Sequence, residues 1–304
     1  MRIPFACTPS NTKQRAAHAT AVYRISHLLG AFRNNTGPTG QCGKNQSSGV
    51  VWMESEEGPG ACTSMVAEDE SRQVFHGRNL DWNLPPQMRQ FILDIEFQKG
   101  GRTQFIGTVL LGGTGLMAGM KPGGFTFSND ARCEGGKLLE NLATALLTGA
   151  QTPSHHARRV FDQAGTFDEA VKLFSTGDLI DEVYYIVGGA APGEGAIITR
   201  DRLNTADIWR MGGVDPNGWF RLQTNYDHWE QPPSSDDRRT PGDAHMVALG
   251  QRGVGADGLL GVLKAWPNFN HHTDYSSVMS AQTGLYNTTI WMGDGGGGGG
   301  GGGR

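Results

Sequence analysis

The stretch CTSMVAEDESRQVFHGRNLDW, residues 62–82, decides how the rest of the chain is read. CTSMVAE and QVFHGRNLDW read as two strands around the charged turn EDESR. Cys62 opens the first strand directly after Gly-Pro-Gly-Ala, 58–61. Flexible chain running into a rigid strand is a plausible place for a cut. Cleavage of the bond between residues 61 and 62 would leave Cys62 with both a thiol and a free α-amine. That amine has a reference pKa near ~8, so it can serve as a built-in base. One residue would then supply nucleophile and general base without a catalytic histidine. The alternative is a buried, idle thiol, the ordinary fate of a cysteine.

Outward from this block, FILDIEFQ and TQFIGTVLL read as a hairpin split by KGGR. GLMAGM and GFTFSND read as two shorter strands joined by KPG. The period then changes. In KLLENLATALLTGA, residues 137–150, the leucines and alanines share one face, which predicts a helix that Gly149 can close. PSHHARRVFDQA and TFDEAVKLFST read as further helices, the first opened by Pro-Ser and the second by a threonine cap. Strands return with EVYYIVGG, GAIITRD, ADIWRM and WFRLQTN. Two helical stretches near 239–265 and the strand DYSSVMSAQ complete the pattern. The order is strands, helices, strands. This is not the alternation of a doubly wound parallel sheet, and it suggests stacked antiparallel sheets with helices outside.

The flanks differ in character. Residues 1–61 are polar and irregular, with one candidate amphipathic helix carried by Val22, Ile25, Leu28, Leu29 and Phe32. Residues 293–304 contain an unbroken run of nine glycines, 295–303, and read as a flexible tail. The expected organisation is therefore 1–61 as an N-terminal propeptide-like or α-subunit-like segment, 62–292 as the catalytic domain and 293–304 as tail.

Composition narrows the function classes. The chain has 304 residues, enough for a substantial core, and a net charge of −4, which offers no basic field to nucleic acid. Cysteines stand at 7, 42, 62 and 133, match no zinc pattern and leave disulfide pairing open. The doublets His155–His156 and His271–His272 have no neighbours that complete a metal site. KPGG and GGTG are turns, since no GxxxxGK[ST] occurs. No apolar run reaches the ~18 residues of a membrane span, and the first residues do not form a secretion signal. Asn34, Asn45 and Asn287 head Asn-x-Ser/Thr sequons, which matter only in a secreted or lysosomal protein.

Several polar residues admit two readings. Arg78 and Asp81, three apart, point to opposite faces of a strand and could be an ordinary surface pair. Asn225 could hold a turn before Tyr226. Asp236, Asp237, Arg238 and Arg239 could be a solvated charge run. Glu140 sits at the edge of its helix's apolar face, and His76 reads as structural.

Taken together, CTSMVAEDESRQVFHGRNLDW, TNYDHWEQPPSSDDRRT, EVYYIVGG and AIITRD resemble the acid ceramidase / cholylglycine hydrolase family of N-terminal-nucleophile hydrolases. The similarity runs in order from Cys62 to about Ala281. The resemblance implies a four-layer αββα fold with two stacked antiparallel sheets, of the α+β class. It implies autocatalytic cleavage before Cys62, an α/β heterodimer afterwards, a lysosomal setting and contact with a lipid-membrane surface. The substrate it implies is a fatty-acid amide lipid, a long-chain N-acylethanolamine hydrolysed to fatty acid and ethanolamine. No cofactor and no metal is implied. N-acylsphingosine hydrolysis is the alternative within the family, and a catalytically inactive lipid-binding homologue the alternative outside it.

Carried over residue by residue, Cys62 matches the nucleophile, Arg78 an arginine beside it and Asp81 the aspartate that orients the new α-amine. Asn225 matches the asparagine whose amide stabilises the oxyanion. Arg238 matches a second, supporting arginine. Glu140 matches a glutamate at the catalytic and substrate pocket. Met117 stands where an aromatic residue is expected, at the acyl pocket. Ala131 replaces an acidic residue, and residues 1–61 show no convincing match.

Overall fold

The computed structural model describes residues 61–132 and 144–292. The deciding stretch forms the expected hairpin. β1 (Ala61–Glu68) and β2 (Val74–Asp81) pair antiparallel from Ala61↔Asp81 to Glu68↔Val74. The Asp69 carboxylate accepts from the Gln73 N–H and the Ser71 hydroxyl, which closes the turn. β1 begins at Ala61, one residue before the boundary read from the sequence. The bond before Cys62 therefore lies inside the end of a paired strand.

The following strands are β3 (Ile92–Lys99), β4 (Arg102–Leu110), β5 (Ala118–Lys121), β6 (Phe125–Ala131), β7 (Val183–Gly189), β8 (Gly195–Arg200) and β9 (Thr205–Arg210). They make a seven-stranded sheet in chain order. β10 (Phe220–Gln223), β11 (Thr273–Ser280) and β12 (Leu285–Ile290) join the hairpin in a five-stranded sheet of order β10-β1-β2-β11-β12. All the strand pairings are antiparallel.

Among the described residues, five helices with both ends defined flank them: α1 (Pro86–Arg89), α2 (Pro153–Gln163), α3 (Phe167–Phe174), α4 (Arg239–Gly253) and α5 (Ala256–Leu263). Thr152 caps α2 by accepting from the His155 N–H, with proline at the first turn. Thr166 and Glu169 form a full capping box at α3. α4 is broken at Gly250, whose φ of 65° is non-helical. Of the helix expected over 137–150, residues 144–148 are helical. Glu140 lies outside the described residues.

Strand alternation sorts side chains into layers. Phe125, Phe127, Tyr185 and Val187 leave one face of the large sheet and pack on Val160, Phe161, Phe167 and Phe174 of α2 and α3. Met65, Ala67, Phe75 and Leu222 leave the outer face of the small sheet and meet Met246 of α4 and Leu259, Val262 and Leu263 of α5. Between the sheets Val66 and Val74 meet Tyr184, Ile186 and Ile197. Each such aliphatic or aromatic side chain contributes about 1.5–3 kcal/mol by leaving water. β7 is buried at every position because helices cover one face and the small sheet the other. The result is the helix–sheet–sheet–helix arrangement expected from the sequence.

Candidate active site

Cys62 lies at one end of β1, on the face turned toward the large sheet, and is 2% exposed. Its cross-strand neighbour is Leu80, and Ser64 stands opposite Arg78. The same alternation brings Cys62 and Arg78 to one side of the hairpin. Arg78 Nη2 donates toward Cys62 Sγ at 3.7 Å, while Nη1 donates to the Met117 carbonyl. Burial, and then Asp130, push the thiol pKa up to about 12, with Arg78 pulling the other way. The thiol of this uncut chain is therefore protonated, and a base is needed to activate it.

His76 does not supply that base. Its ring nitrogens contact Thr126 Oγ1 at 3.0 Å and Ser128 Oγ at 2.9 Å. Burial holds its pKa down to about 3, so it is neutral, as the structural reading expects.

The backbone nitrogen of Cys62 has a defined partner. It donates to Asn225 Oδ1 at 2.9 Å, and Asn225 Nδ2 donates to the Ala131 carbonyl at 2.8 Å. Asn225 is buried directly after β10, the strand that pairs with β1, which explains how residues 163 apart in sequence meet. One N–H of its amide is committed to Ala131, and the other, which has no partner among the described residues, is the donor left for a ligand. Arg238 locks the arrangement from the segment before α4. Nη1 donates to the Cys62 carbonyl at 2.5 Å and to Thr63 Oγ1 at 3.2 Å. Nη2 donates to Asn225 Oδ1 at 2.7 Å, and the fork grips the Asp236 carboxylate at 2.7 and 2.8 Å. Arg238 is thus buried and fully bonded, not part of a solvated charge run.

Asp81 approaches from the opposite face of β2, opposite Ala61 in the ladder. Both its oxygens are buried, with the Thr273 side chain as the hydrogen-bonding group that acts on them and Arg238 Nη1 3.9 Å away. Burial pushes its pKa up to about 6, against the pull of Arg238. A buried, under-bonded carboxyl across the ladder from Ala61, beside the bond whose cleavage would create an ammonium, fits that new charge.

Two cavities share Trp82 and Met117 as wall residues. One is apolar, lined chiefly by Leu80, Leu84, Ile92, Val109, Leu110 and Tyr275. The other reaches Cys62 and Arg78 and is edged by Asn129, Ser154, Asp181 and Glu182. Met117 thus stands where the two meet. Among the described residues no group of His, Cys, Asp and Glu is arranged to hold a metal, and Cys62 is free. The question of disulfides involving Cys7, Cys42 and Cys133 lies outside the described residues.

The structure brings Cys62, Arg78, Asp81, Asn225 and Arg238 into one cluster and puts Met117 on its rim. Sequence reasoning missed Asp130, which is fully buried and acts on the thiol, and Tyr275, whose ring faces Arg78 at 5.7 Å. The signal for Asp130 was available. Alternation along β6 places Thr126, Ser128 and Asp130 on one face, opposite Phe125 and Phe127.

Residues 62–269 match the linear amide C–N hydrolases of the choloylglycine hydrolase family. The N-acylethanolamine-hydrolyzing acid amidase of Rattus norvegicus is 42% identical over 235 residues, covering 77% of this chain and 64% of that protein. The acid ceramidase of Homo sapiens is 29% identical over 249 residues, covering 75% of this chain and 62% of that protein. The structure of a Caenorhabditis elegans ortholog of the amidase superposes with a TM-score of 0.66 at 31% identity. It covers 73% of this chain and 93% of that one. The chain spans a little under two thirds of the length of the curated relatives it matches.

Proposed function

The chain belongs to the choloylglycine hydrolase family of linear amide C–N hydrolases, and from that premise we propose that it hydrolyses long-chain N-acylethanolamines after cutting itself before Cys62. The observation that carries the reading is the Cys62 cluster. The thiol faces Arg78, and the backbone nitrogen of the same residue faces Asn225 and lies beside Asp81. Self-cleavage proceeds by attack of Sγ on the Ala61 carbonyl carbon. The C–N bond breaks, the nitrogen gains a proton, and water hydrolyses the thioester to a new carboxylate on Ala61.

The freed α-amine then faces Asp81, which holds and orients it. It takes the thiol proton as the thiolate attacks the substrate amide carbonyl. The remaining Asn225 N–H stabilises the tetrahedral oxyanion. Arg238 positions both the Cys62 backbone and the Asn225 amide. The ammonium returns its proton to the departing ethanolamine nitrogen. Water, activated by the same amine, cleaves the thioester and releases the fatty acid.

In this reading the acyl chain takes the apolar side of Met117, whose walls must part to admit it because the space between them is water-sized, and the small hydrophilic amine takes the polar side. Glu140 joins the pocket in this reading. Cleavage leaves fragments 1–61 and 62–304 as a heterodimer. Exposed Leu146 and Leu147 offer an apolar tip to a lipid surface, and an acidic, lysosomal compartment is the setting. N-acylsphingosine is the second reading, resting on matches to acid ceramidases at 29–30% identity against 42–43% for the amidases. Intact-mass analysis at acid pH tests the proposal, followed by parallel assay with N-palmitoylethanolamine and N-palmitoylsphingosine. A fragment starting CTSMVAED and release of ethanolamine are expected. Full activity in an uncut chain contradicts it.

A further inference from the structure

The space between the two sheets holds a run of polar groups that the reaction above does not use. Thr126, Ser128 and Asp130 project inward from β6, and Ser64 and His76 project inward from β1 and β2. They form one continuous chain. His76 contacts Thr126 Oγ1 and Ser128 Oγ, Ser128 donates to Ser64 Oγ at 2.9 Å, and Ser64 donates to Asp130 Oδ1 at 2.8 Å. Thr126 ends it by donating to the Gly188 carbonyl at 3.3 Å. All five side chains are essentially inaccessible to solvent. A buried polar chain is tolerated only when its members are satisfied, and one atom here is not. Asp130 Oδ2 is buried without a partner.

We propose that Asp130 is a positioning residue that makes the reactivity of the Cys62 thiol depend on pH: protonated, it leaves Arg78 free to stabilise the thiolate, and ionised, it opposes that charge. The inference rests on the reading of Cys62 as nucleophile. The geometry favours a carboxyl that holds its proton on Oδ2, because an unpaired buried oxygen is far costlier as part of a carboxylate.

The groups that face Asp130 leave it poised. From β1 the Ser64 hydroxyl donates to it and the Cys62 thiol feels its charge. Arg78 and Asp81 act on it from β2, and Arg238 acts from the segment before α4. His76, at the far end of the chain, stays neutral. Tyr184 stands opposite Asp130 in β7, but its hydroxyl donates to Asp227, which Arg132 already binds. Burial outweighs Arg78 and the Ser64 hydrogen bond and pushes the Asp130 pKa up to about 7. Below that pH the carboxyl is neutral, and its contribution to the raised thiol pKa disappears. Above it the carboxylate shares Arg78 with the sulfur and disfavours the thiolate. Acid pH thus promotes both self-cleavage and turnover through a residue that touches neither substrate nor scissile bond.

Asparagine accepts from Ser64 as aspartate does but cannot ionise, so Asp130→Asn isolates the titration. Self-cleavage by intact mass, and release of palmitate from N-palmitoylethanolamine, are measured from pH 4 to 8. The full chain is compared with Asp130→Asn, Ser64→Ala and Cys62→Ala. Asp130→Asn is expected to keep its rate above pH 7, raising the pH 8 to pH 5 rate ratio about tenfold, the equivalent of one pKa unit. Ser64→Ala removes a hydrogen bond that favours the ionised form, so its descending limb moves to higher pH. A folded Asp130→Asn enzyme with the wild-type profile, or one slowed equally at every pH, overturns the proposal. Should Asp130→Asn fail to fold, an unmoved limb in Ser64→Ala overturns it instead. Cleavage and turnover by Cys62→Ala would overturn the underlying nucleophile assignment, a separate outcome.

Discussion

Arg238 uses all five of its N–H donors on protein acceptors: Asp236 twice, the Cys62 carbonyl, Thr63 and Asn225. A lysine is a point charge and cannot span those acceptors at once. Arg238→Lys is expected to fold but to cleave itself at least ~10-fold more slowly, because the Cys62 carbonyl and the Asn225 amide lose their common clamp. A time course of intact mass reads this directly. Asn225→Ala is expected to lower kcat by about 10²–10³ with little change in KM, since its free N–H meets charge present only in the transition state. The measurement uses protein already cut, so that processing and turnover are separated; an unchanged kcat removes Asn225 from the oxyanion site. At this scale the sequence was half legible. Arg78 and Asp81 were readable as residues on opposite faces of a strand. Their convergence on the two ends of one cysteine was not, because the thiol and the backbone nitrogen of Cys62 lie on different sides of the hairpin. Asp130 went unread because its meaning depends on Ser64 and Arg78, which come from the other sheet.

The elements were easier to read where alternation or capping was strong. The β1–β2 hairpin, the β3–β4 hairpin and the capping box of α3 follow from local chemistry alone. β12 was missed because LYNTTI forms a partly exposed edge strand with no continuous apolar face, and α1 because four residues show no period. Sheet order was also beyond reach, since β2 pairs with β11, nearly 200 residues away. Gly188 leaves room for its partner across the ladder, Thr126, in the same sheet. A Cβ on Gly188 would stand 2.6 Å from Thr126 Oγ1 and 3.4 Å from Val66 and Val74. Gly188→Ala should therefore displace Thr126 and with it His76, at a cost of about 1–3 kcal/mol from overpacking. A fall in Tm for Gly188→Ala, compared with a Tm that holds or rises for alanine at the open, helical Gly261, checks whether Thr126 needs this room.

Across the whole molecule, buried groups of opposite kind set the response to pH. Asp81 and Asp130 have folded pKa values raised to about 6 and about 7, so the stability they contribute is present below ~4 and is lost as pH rises through those values. His76 and His156 are held down to about 3, so theirs is present above ~6.5 and is lost as pH falls from there toward 3. The two trends oppose each other between pH 4 and 6.5, and His76→Gln is expected to tilt the balance, its Tm gaining on the wild type as pH falls through that window. The way the sheets close also bears on substrate choice. On one side of Met117 the walls are apolar; on the other, Asp181 and Glu182 border the cavity that reaches Cys62, with Arg202 bound to both. Asp181 and Glu182 thus give that cavity two carboxylates on its wall, with the Arg78 guanidinium as the opposite charge beside the sulfur. A hydroxyl-terminated ethanolamine meets no penalty there, whereas the carboxylate of an N-acylglycine meets like charge, which is costly in a confined site. The sphingoid chain of a ceramide would press a second hydrocarbon tail against polar walls. N-palmitoylethanolamine is therefore expected to have the highest kcat/KM of the three at acid pH. Glu182→Gln should narrow its advantage over N-palmitoylglycine by about tenfold, or ~1.4 kcal/mol, while leaving the ratio to N-palmitoylsphingosine near its wild-type value. Equal discrimination against N-palmitoylglycine in Glu182→Gln and wild type would show that charge at this mouth does not select the leaving amine.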